Sequence, residues 1–521
     1  MKHFNFVLSC LTALPIGSNA QSADNSEQRP NIIYVFPDQF RNDACGFWRQ
    51  KGFKEYRKAK GDPTITPNLD RFARESLVLS SAQSNSPVSS PHRAMLMTGM
   101  YSAEKNGVPV NCNTGSPKSS LNPNATTIGD VFSQNGYDCA YIGKYHLDTP
   151  TPNDPQRPGK YVQDAEVVWD AYTPKELRHG FNYWFSYGTF DEHKNPHYWD
   201  NEGRKHQPHE YSPIYEAKKA IEYMKNVGNV RDTGKPFLMM IGMNPPHSPY
   251  NSLRDCMEED YNLYKDMPMD SLLRPNVINR SLPKVKSTPY YFANVTGVDR
   301  AFGMILDALK ELGLDKNTIV VFTSDHGELM CSHGEATEAK NMPYSEAMNV
   351  PFILRYPGKV EHRVDSTLLS TPDIMPTLLG LSGLEKYIPE EVQGTNYSEL
   401  FFNSNTKLLR PQGALFFKQA DGQIVSNGEA TNYFPVARGI KTAKYTLAFE
   451  IRKDMKLKRT YLFDDENDPY QLNNLPLKEN KKIVKTLCKE LKYQLKNIND
   501  PWFENRICLL YTSPSPRDPK T

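Results

Sequence analysis

The sequence has no excess of charge of one sign. Its 521 residues contain 62 Lys and Arg against 60 Asp and Glu, so the formal net charge is only +2. This balance argues against general nucleic-acid binding, because neutralising phosphates requires a surplus of basic side chains. Hydrophobic residues make up 38% and charged residues 23% of the chain, which is typical of a folded protein.

Long apolar runs and closely spaced cysteines are also missing. Beyond the N-terminus, no segment approaches the ~20 consecutive apolar residues of a membrane helix, so we predict no transmembrane segment. The eight cysteines form no CxxC pair, and their wide spacing indicates neither a zinc knuckle nor a disulfide framework. We expect mostly isolated buried thiols, although export would permit a disulfide or two. The cysteines are Cys10, Cys45, Cys112, Cys139, Cys256, Cys331, Cys488 and Cys508.

The N-terminus predicts an export signal. A short basic start is followed by apolar residues 4–16 and by small residues 18–20, as in a signal peptide that is cleaved before Gln21. We therefore expect a periplasmic or secreted protein. Lipid anchoring at Cys10 is the less favoured alternative, because it would leave an apolar core of about six residues where about 7–15 are usual.

Short apolar runs alternate with helical patterns, which predicts an α/β fold with a mainly parallel sheet flanked by helices. After residue 405, four short strands and a charged helix over 479–495 predict a smaller antiparallel sheet with one helix. We therefore expect a signal peptide (1–20), a catalytic domain (21–405) and a C-terminal subdomain (406–507), followed by residues 508–521, which resemble a translated sequencing adapter. The apolar runs are 31–36, 139–143, 236–242, 318–323 and 350–355, and the helical patterns are 68–75, 127–135, 216–226, 295–312 and 373–381.

Polar side chains follow four of these apolar runs. The carboxyl ends of parallel strands meet at one edge of a sheet, and ligands bind there in open α/β folds. The sequence therefore predicts one site that is built from several strand ends. The residues at these ends are Asp38 and Gln39, Lys144 and His146, His247, and Asp325 and His326.

The segment from Ser89 to Gly99 contains the strongest local pattern. Its letters, SSPHRAMLMTG, resemble the signature of the sulfatase family, C/S-x-P-x-R-x-x-L/M-x-T-G, at every specified position. The resemblance implies an alkaline-phosphatase-like fold and conversion of Ser89 to formylglycine, whose hydrated aldehyde attacks the sulfate ester. A Ser-type signature further implies an oxygen-independent maturase as partner. Without Thr98 and Gly99, a Ser/Pro-rich loop before a helix would explain the pattern equally well.

Two further segments resemble the metal-binding elements of that family. Asp38 and Gln39 match the first element, where two acidic residues are usual, and Asp325 and His326 match the second. Together with Ser89 they would hold one divalent cation, and mainly oxygen ligands favour Ca²⁺, with Mg²⁺ as the alternative. The neutral Gln39 and His326 make this cage less anionic than is usual. Taken alone, the Asp325 element is equally typical of a helix N-cap and turn.

The remaining catalytic roles are also implied by the resemblance. Arg93 would hold the formylglycine diol, while Lys144, in a G-K-Y-H-L element, and Lys340, before P-Y-S-E-A, would bind the sulfate. His247, in an H-S-P element, would protonate the leaving oxygen, and His146 would act as the base that releases sulfate. Any one of these residues taken singly has an ordinary structural explanation.

The substrate is expected to be a sulfated carbohydrate, with a weak preference for a galactose or N-acetylgalactosamine type. An insertion over 167–212 combines aromatic and polar residues as sugar sites do, and His193, His197 and Trp199 are the candidate contacts. A loop packed against the main domain explains this composition equally well. Two other functions remain open: a phosphate or phosphonate ester hydrolase of the same superfamily, and a glycan-binding protein that has lost its activity.

Overall fold

The computed structural model describes residues 1, 29–101, 103–113, 119–149, 170–335, 340–419, 435–454, 456–500 and 502. The predicted signal peptide beyond Met1, the alternative anchor at Cys10 and residues 508–521 lie outside this part of the chain, and the domain boundaries stay predictions. Within it, Cys45, Cys112, Cys139, Cys256 and Cys331 are buried free thiols, as expected, and Cys488 is also buried. No described helix is long and apolar enough to cross a membrane.

The apolar runs form the centre of a ten-stranded sheet. In the described residues, the order across this sheet is β10-β2-β9-β8-β1-β7-β3-β4-β5-β6, and the five strands from β8 to β4 are all parallel to their neighbours. Its strands are β1 (Asn31–Val35), β2 (Leu77–Leu79), β3 (Asp138–Lys144), β4 (Tyr183–Tyr187), β5 (Tyr198–Trp199), β6 (Lys205–His206), β7 (Phe237–Gly242), β8 (Thr318–Phe322), β9 (Phe352–Arg355) and β10 (Arg363–Asp365).

One predicted strand runs in the opposite direction. β9 pairs antiparallel with both β8 and β2, so its carboxyl end faces the edge opposite to that of β8. This direction agrees with the sequence, because β9 is the one apolar run for which we predicted no functional residue at its carboxyl end. The prediction of a mainly parallel α/β sheet is confirmed.

Helices cover both faces of the large sheet because its strands alternate two sets of apolar side chains. Ile32 and Tyr34 of β1 enter one buried cluster, and Ile33 and Val35 enter the other, which includes much of the long helix α8. The helices described are α1 (Pro67–Ala73), α2 (Ser89–Thr98), α3 (Ala103–Asn106), α4 (Ile128–Gln134), α5 (Ser212–Met224), α6 (Glu258–Tyr261), α7 (Met269–Leu272), α8 (Thr288–Glu311), α9 (Ser345–Met348), α10 (Ile374–Leu381), α11 (Ser398–Phe402) and α12 (Lys481–Asn497).

The C-terminal part forms a second, antiparallel sheet of four strands, as the sequence predicts. Helix α12 packs its apolar side chains on this sheet, and Met95 of α2 belongs to the same buried cluster. Helix α2 therefore contacts both sheets. The strands are β11 (Ala414–Gln419), β12 (Pro435–Lys441), β13 (Tyr445–Ile451) and β14 (Leu457–Asp464).

Candidate active site

The structure brings the predicted polar residues together at the carboxyl edge of the large sheet. Each loop contributes because it leaves a parallel strand at that edge: β1 precedes Asp38, β3 ends at Lys144, and β8 precedes Asp325. Helix α2 adds Ser89 and Arg93, which are four residues apart and therefore share one face of the helix. We call six residues the catalytic edge: Asp38, Ser89, Arg93, Lys144, Asp325 and His326.

Two buried carboxylates at this edge are paired with two basic side chains. The guanidinium of Arg93 lies 3.3 Å from Asp38 Oδ2 and 3.1 Å from Asp325 Oδ2. The ammonium of Lys144 lies 2.8 Å from Asp38 Oδ2. Arg93 also donates to the backbone oxygen of Lys144 over 2.6 Å, an approach that needs Gly242, since a Cβ there would lie 2.5 Å from that oxygen. The two basic residues are therefore fixed before any substrate arrives.

Ser89 is the first residue of α2 and is 1% exposed. Its hydroxyl lies 3.4 Å from Asp38 Oδ1 and 3.2 Å from His326 Nε2. Helix α2 ends at Gly99, which adopts the left-handed conformation that favours glycine (φ 66°). The signature thus places its serine beside both predicted metal elements.

Asp38, Asp325 and His326 fit a cation. Each offers a buried ligand atom, and these atoms lie within 4.8 Å of one another. Nδ1–H of His326 donates to the oxygen of Gly327 over 3.0 Å, which leaves the Nε2 lone pair free to bind a metal. Burial and the neighbouring Asp38 carboxylate raise the pKa of Asp325 to about 7. A cation between the two carboxylates would relieve this repulsion, so the residues fit the group that the resemblance implies.

Gln39 lies beside this cluster, and two residues orient its amide. Its backbone N–H donates to Asp325 Oδ1 over 3.0 Å, and its Oε1 accepts from Lys340 Nζ over 2.9 Å. Its Nε2 donates to the carboxylate of Glu328. Sequence reasoning assigned no role to Glu328, although this residue ends the SDHGE segment that contains Asp325.

The carboxylate of Glu328 is buried, and both of its oxygens accept hydrogen bonds. Tyr250 donates its hydroxyl to Oε2 over 3.1 Å, and Lys284 donates to Oε1 over 3.1 Å. The backbone N–H of Met330 adds a contact of 2.8 Å. These bonds fix the carboxylate of Glu328. Because that carboxylate accepts from Nε2 of Gln39, the amide oxygen of Gln39 is turned toward Lys340.

His146 is a buried histidine that is held in its neutral form. Its Nε2 lies 2.5 Å from Asn113 Oδ1, and its Nδ1 is buried without a hydrogen-bond partner among the described residues. Burial, Lys144 and Arg93 hold the pKa of His146 well below its usual value. A neutral imidazole with a free nitrogen can accept a proton. Asn113 lies in a loop without periodic pattern and was not predicted.

His247 is the more accessible histidine of the site, with a side chain 15% exposed. Its Nδ1 lies 2.7 Å from the oxygen of Ser248 and 3.4 Å from Asp191 Oδ1. Burial, Lys144 and Lys340 lower its pKa, and the carboxylate of Asp191 opposes that change. Asp191 also accepts from Asn244, which binds the ammonium of Lys144 over 2.9 Å. Asp191 and Asn244 therefore connect His247 to Lys144, and neither was predicted.

The candidate sugar contacts lie inside the protein. Trp199 is 0% exposed, with its ring edge-on to His197 at 4.7 Å between centroids. His197 is 1% exposed, and its Nε2 lies 2.5 Å from Asp170 Oδ2. His193 is buried too, and its Nδ1 binds the backbone oxygen of Asp255 over 2.9 Å. The three side chains are thus buried within the described insertion (170–212). Their assignment as sugar contacts stays a prediction.

The fold, the signature serine and the buried ligand cluster together define a sulfatase, and the comparison with known proteins agrees. The model of the family described as Sulfatase matches residues 30–384, and that of the N-sulphoglucosamine sulphohydrolase C-terminal region matches residues 336–500. The chain belongs to the sulfatase family and is an enzyme that hydrolyses sulfate esters.

Individual relatives are similar over nearly the whole chain. An endo-4-O-sulfatase of Bacteroides thetaiotaomicron is 62% identical over 94% of this chain and 96% of its own. A solved structure from work on the metabolism of multiple glycosaminoglycans by that organism has a TM-score of 0.91 at 61% identity, covering 94% of this chain and all of the other. An ulvan-active sulfatase of Formosa agariphila is 32% identical over 86% of this chain and 77% of its own.

Proposed function

We propose that this enzyme removes a 4-O-sulfate from a sulfated glycan, using formylglycine made from Ser89 and one divalent cation. One observation carries the chemistry: the Ser89 hydroxyl lies within 3.4 Å of both Asp38 Oδ1 and His326 Nε2. The 4-O position and the polymeric substrate rest on the 62% identical endo-4-O-sulfatase.

Asp38, Asp325 and His326 would hold the cation, and the amide oxygen of Gln39 would complete the protein ligands. Bound there, the cation would stabilise negative charge on the sulfate oxygens. Three of these four ligands are oxygens, which favours Ca²⁺ over a transition metal and leaves Mg²⁺ as the alternative.

The modified Ser89 side chain would supply the oxygen that attacks sulfur, and Arg93 and Lys144 prepare its surroundings. Both are buried and fixed by carboxylates, so they need no rearrangement as charge develops. Lys340 lies beside the same cluster, because its ammonium contacts Gln39. The two lysines are the groups that would bind the sulfate.

Proton transfer falls to the two histidines. His247, the more exposed of the two, donates a proton to the leaving sugar oxygen, a step that contributes about 10²–10⁴-fold in rate. His146, neutral and with Nδ1 free among the described residues, accepts a proton from the modified Ser89 side chain. The donor and the acceptor are thus different residues with different environments.

The sugar, the location and the maturation route complete the proposal. We propose a galactose or N-acetylgalactosamine unit as the sugar that carries the 4-O-sulfate. We also propose export to the periplasm or beyond, on the residues 1–20, and an oxygen-independent maturase that oxidises Ser89.

The test is an assay of matured protein on sulfated sugars. Galactose-type substrates with sulfate at O4 should release sulfate, while matched 6-O-sulfated sugars and phosphate monoesters should be poor substrates. The tryptic peptide that contains Ser89 should be lighter by two hydrogens in active protein. Ser89→Ala, which removes a single hydroxyl and cannot be oxidised, should lose essentially all activity, with circular dichroism confirming that it folds. Full activity from chains with unmodified Ser89, or equal activity on phosphate esters, would refute the proposal.

A further inference from the structure

Helix α12 presents a continuous basic face to solvent. At 3.6 residues per turn, its six lysines fall within about 100° of the helix circumference. They extend along about 22 Å of the helix. The six are Lys481, Lys482, Lys485, Lys489, Lys492 and Lys496.

These lysines have no neutralising partners among the residues that the structure describes. No carboxylate lies within salt-bridge distance of any of the six, whereas Lys218 and Lys441 elsewhere pair with acidic residues. Glu490, the acidic residue within the helix, accepts from Gln494 instead. Lysines three and four positions apart repel one another, so the face destabilises its own helix. Such repulsion is relieved when a polyanion binds.

The charge is concentrated here and is not a property of the whole chain. Residues 478–496 contain seven lysines and two glutamates, whereas the entire sequence has a formal net charge of +2. The remainder of the protein is therefore slightly acidic. A polyanion that approaches the molecule is therefore attracted to this helix.

The opposite face of helix α12 is apolar and packs against the antiparallel sheet. Val484, Leu487, Leu491 and Leu495 are buried against the antiparallel sheet. No apolar face remains to enter a bilayer, as a membrane-bound amphipathic helix requires. The exposed aromatic next to the lysines is Tyr493, whose surface is 61% exposed and which can stack on a sugar ring.

We propose that this face, called the α12 lysine face, docks a sulfated polysaccharide chain outside the active site. The inference rests on the proposed action on sulfated glycans, because such a polymer is a regular polyanion that is present wherever the enzyme works. Docking raises the local concentration of sulfate esters near the catalytic edge without taking part in the chemistry.

The experiment compares two variants with the same change in charge. In one, Lys482, Lys485, Lys489 and Lys492 become Gln; in the control, the exposed lysines Lys51, Lys235, Lys310 and Lys316 become Gln. Both are made in the full chain, and binding to fluorescent dextran sulfate, with unsulfated dextran as blank, is measured over a salt series. Dextran has no galactose units, so the active site contributes little to this binding.

We expect the α12 variant to bind dextran sulfate at least about tenfold more weakly than the control, with a shallower salt dependence. Its turnover of a small 4-O-sulfated disaccharide should match that of the wild type. Equal binding by both variants would overturn the proposal, as would α12-dependent binding to anionic phosphatidylglycerol vesicles but not to dextran sulfate. If the disaccharide is not desulfated at all, the proposed function fails, while the binding comparison remains informative. Circular dichroism and thermal unfolding confirm that both variants fold.

Discussion

The catalytic edge and the aromatic insertion are both buried and polar, yet their polar groups are arranged differently. In the insertion, His197 and Asp170 satisfy each other, and Trp199 packs against them. At the catalytic edge, two adjacent carboxylates face each other, and His326 keeps one nitrogen lone pair free. The paired side chains of His197 and Asp170 therefore favour a structural role for that part of the insertion, whereas the clustered ligand atoms of the catalytic edge favour a metal site. Substitutions should therefore affect activity at one region and stability at the other.

After the loss of activity expected for Ser89→Ala, the largest effect is expected from His247→Ala. If His247 donates the proton, as proposed, its loss should lower kcat/KM for a sugar sulfate by about 10²–10⁴-fold. The loss should be much smaller for an aryl sulfate, because a phenolate leaves without a proton. His209→Ala, a change at an exposed histidine, is the control. An equal loss on both substrates would assign His247 a role other than protonation.

Trp199→Ala tests the insertion. Removing this fully buried ring should lower the free energy of unfolding by about 3–5 kcal/mol. At a temperature where the variant is folded, KM for a 4-O-sulfated substrate should be unchanged. Denaturant unfolding and steady-state kinetics measure the two quantities, and Trp199→Phe provides a milder variant if the alanine form does not fold. A raised KM in stable Trp199→Phe would return this residue to the substrate site.

Glu328→Gln tests whether a residue behind the catalytic edge acts on the cation. Glu328 orients the amide of Gln39 and adds a nearby negative charge, so its loss should weaken cation binding by about 10–100-fold. Calorimetric titration of Ca²⁺ into chelator-treated protein measures this without relying on activity. The control is Lys284→Gln, which changes the lysine that contacts the other oxygen of the Glu328 carboxylate. This change should have little effect on Ca²⁺ affinity. Unchanged Ca²⁺ affinity in Glu328→Gln would exclude this role.

The smallest effect is a shift in pH dependence in Asp191→Asn. His247 must be protonated to act as an acid, so kcat/KM should fall as pH rises through its pKa, which lies below the usual 6.5. The Asp191 carboxylate raises that pKa, and its neutral replacement should therefore move the descending limb to lower pH. Profiles of kcat/KM against pH, with the exposed Asp307→Asn as control, report the shift. A descending limb that moves to higher pH would contradict the role of His247 as the proton donor.

The sequence was most informative where two independent rules agreed. Apolar runs predicted the parallel strands, and the strand-end rule placed Asp38, Lys144 and Asp325 at one edge. The direction of β9 could not be predicted, because an apolar run has no orientation. Composition is ambiguous in the insertion, since aromatic residues beside polar ones are typical of sugar sites and of packed loops alike.

The partners of the catalytic residues could not be predicted from local pattern. Asn113, Asp191 and Glu328 act through contacts with residues 33, 56 and 289 positions away in the chain. Such pairs depend on how loops meet in three dimensions. Glu328 alone had a signal, its place directly after the second metal element, and the sequence reasoning did not use it.

The burial of Ser89 bears on whether its proposed oxidation comes before or after folding. Its side chain is 1% exposed, and the helix that begins with it is held from behind by Met95 in the core of the antiparallel sheet. If an enzyme oxidises Ser89, as proposed, it must reach a side chain that the folded protein buries. The proposed modification would then precede the completion of folding, and a chain that folded first would remain unmodified.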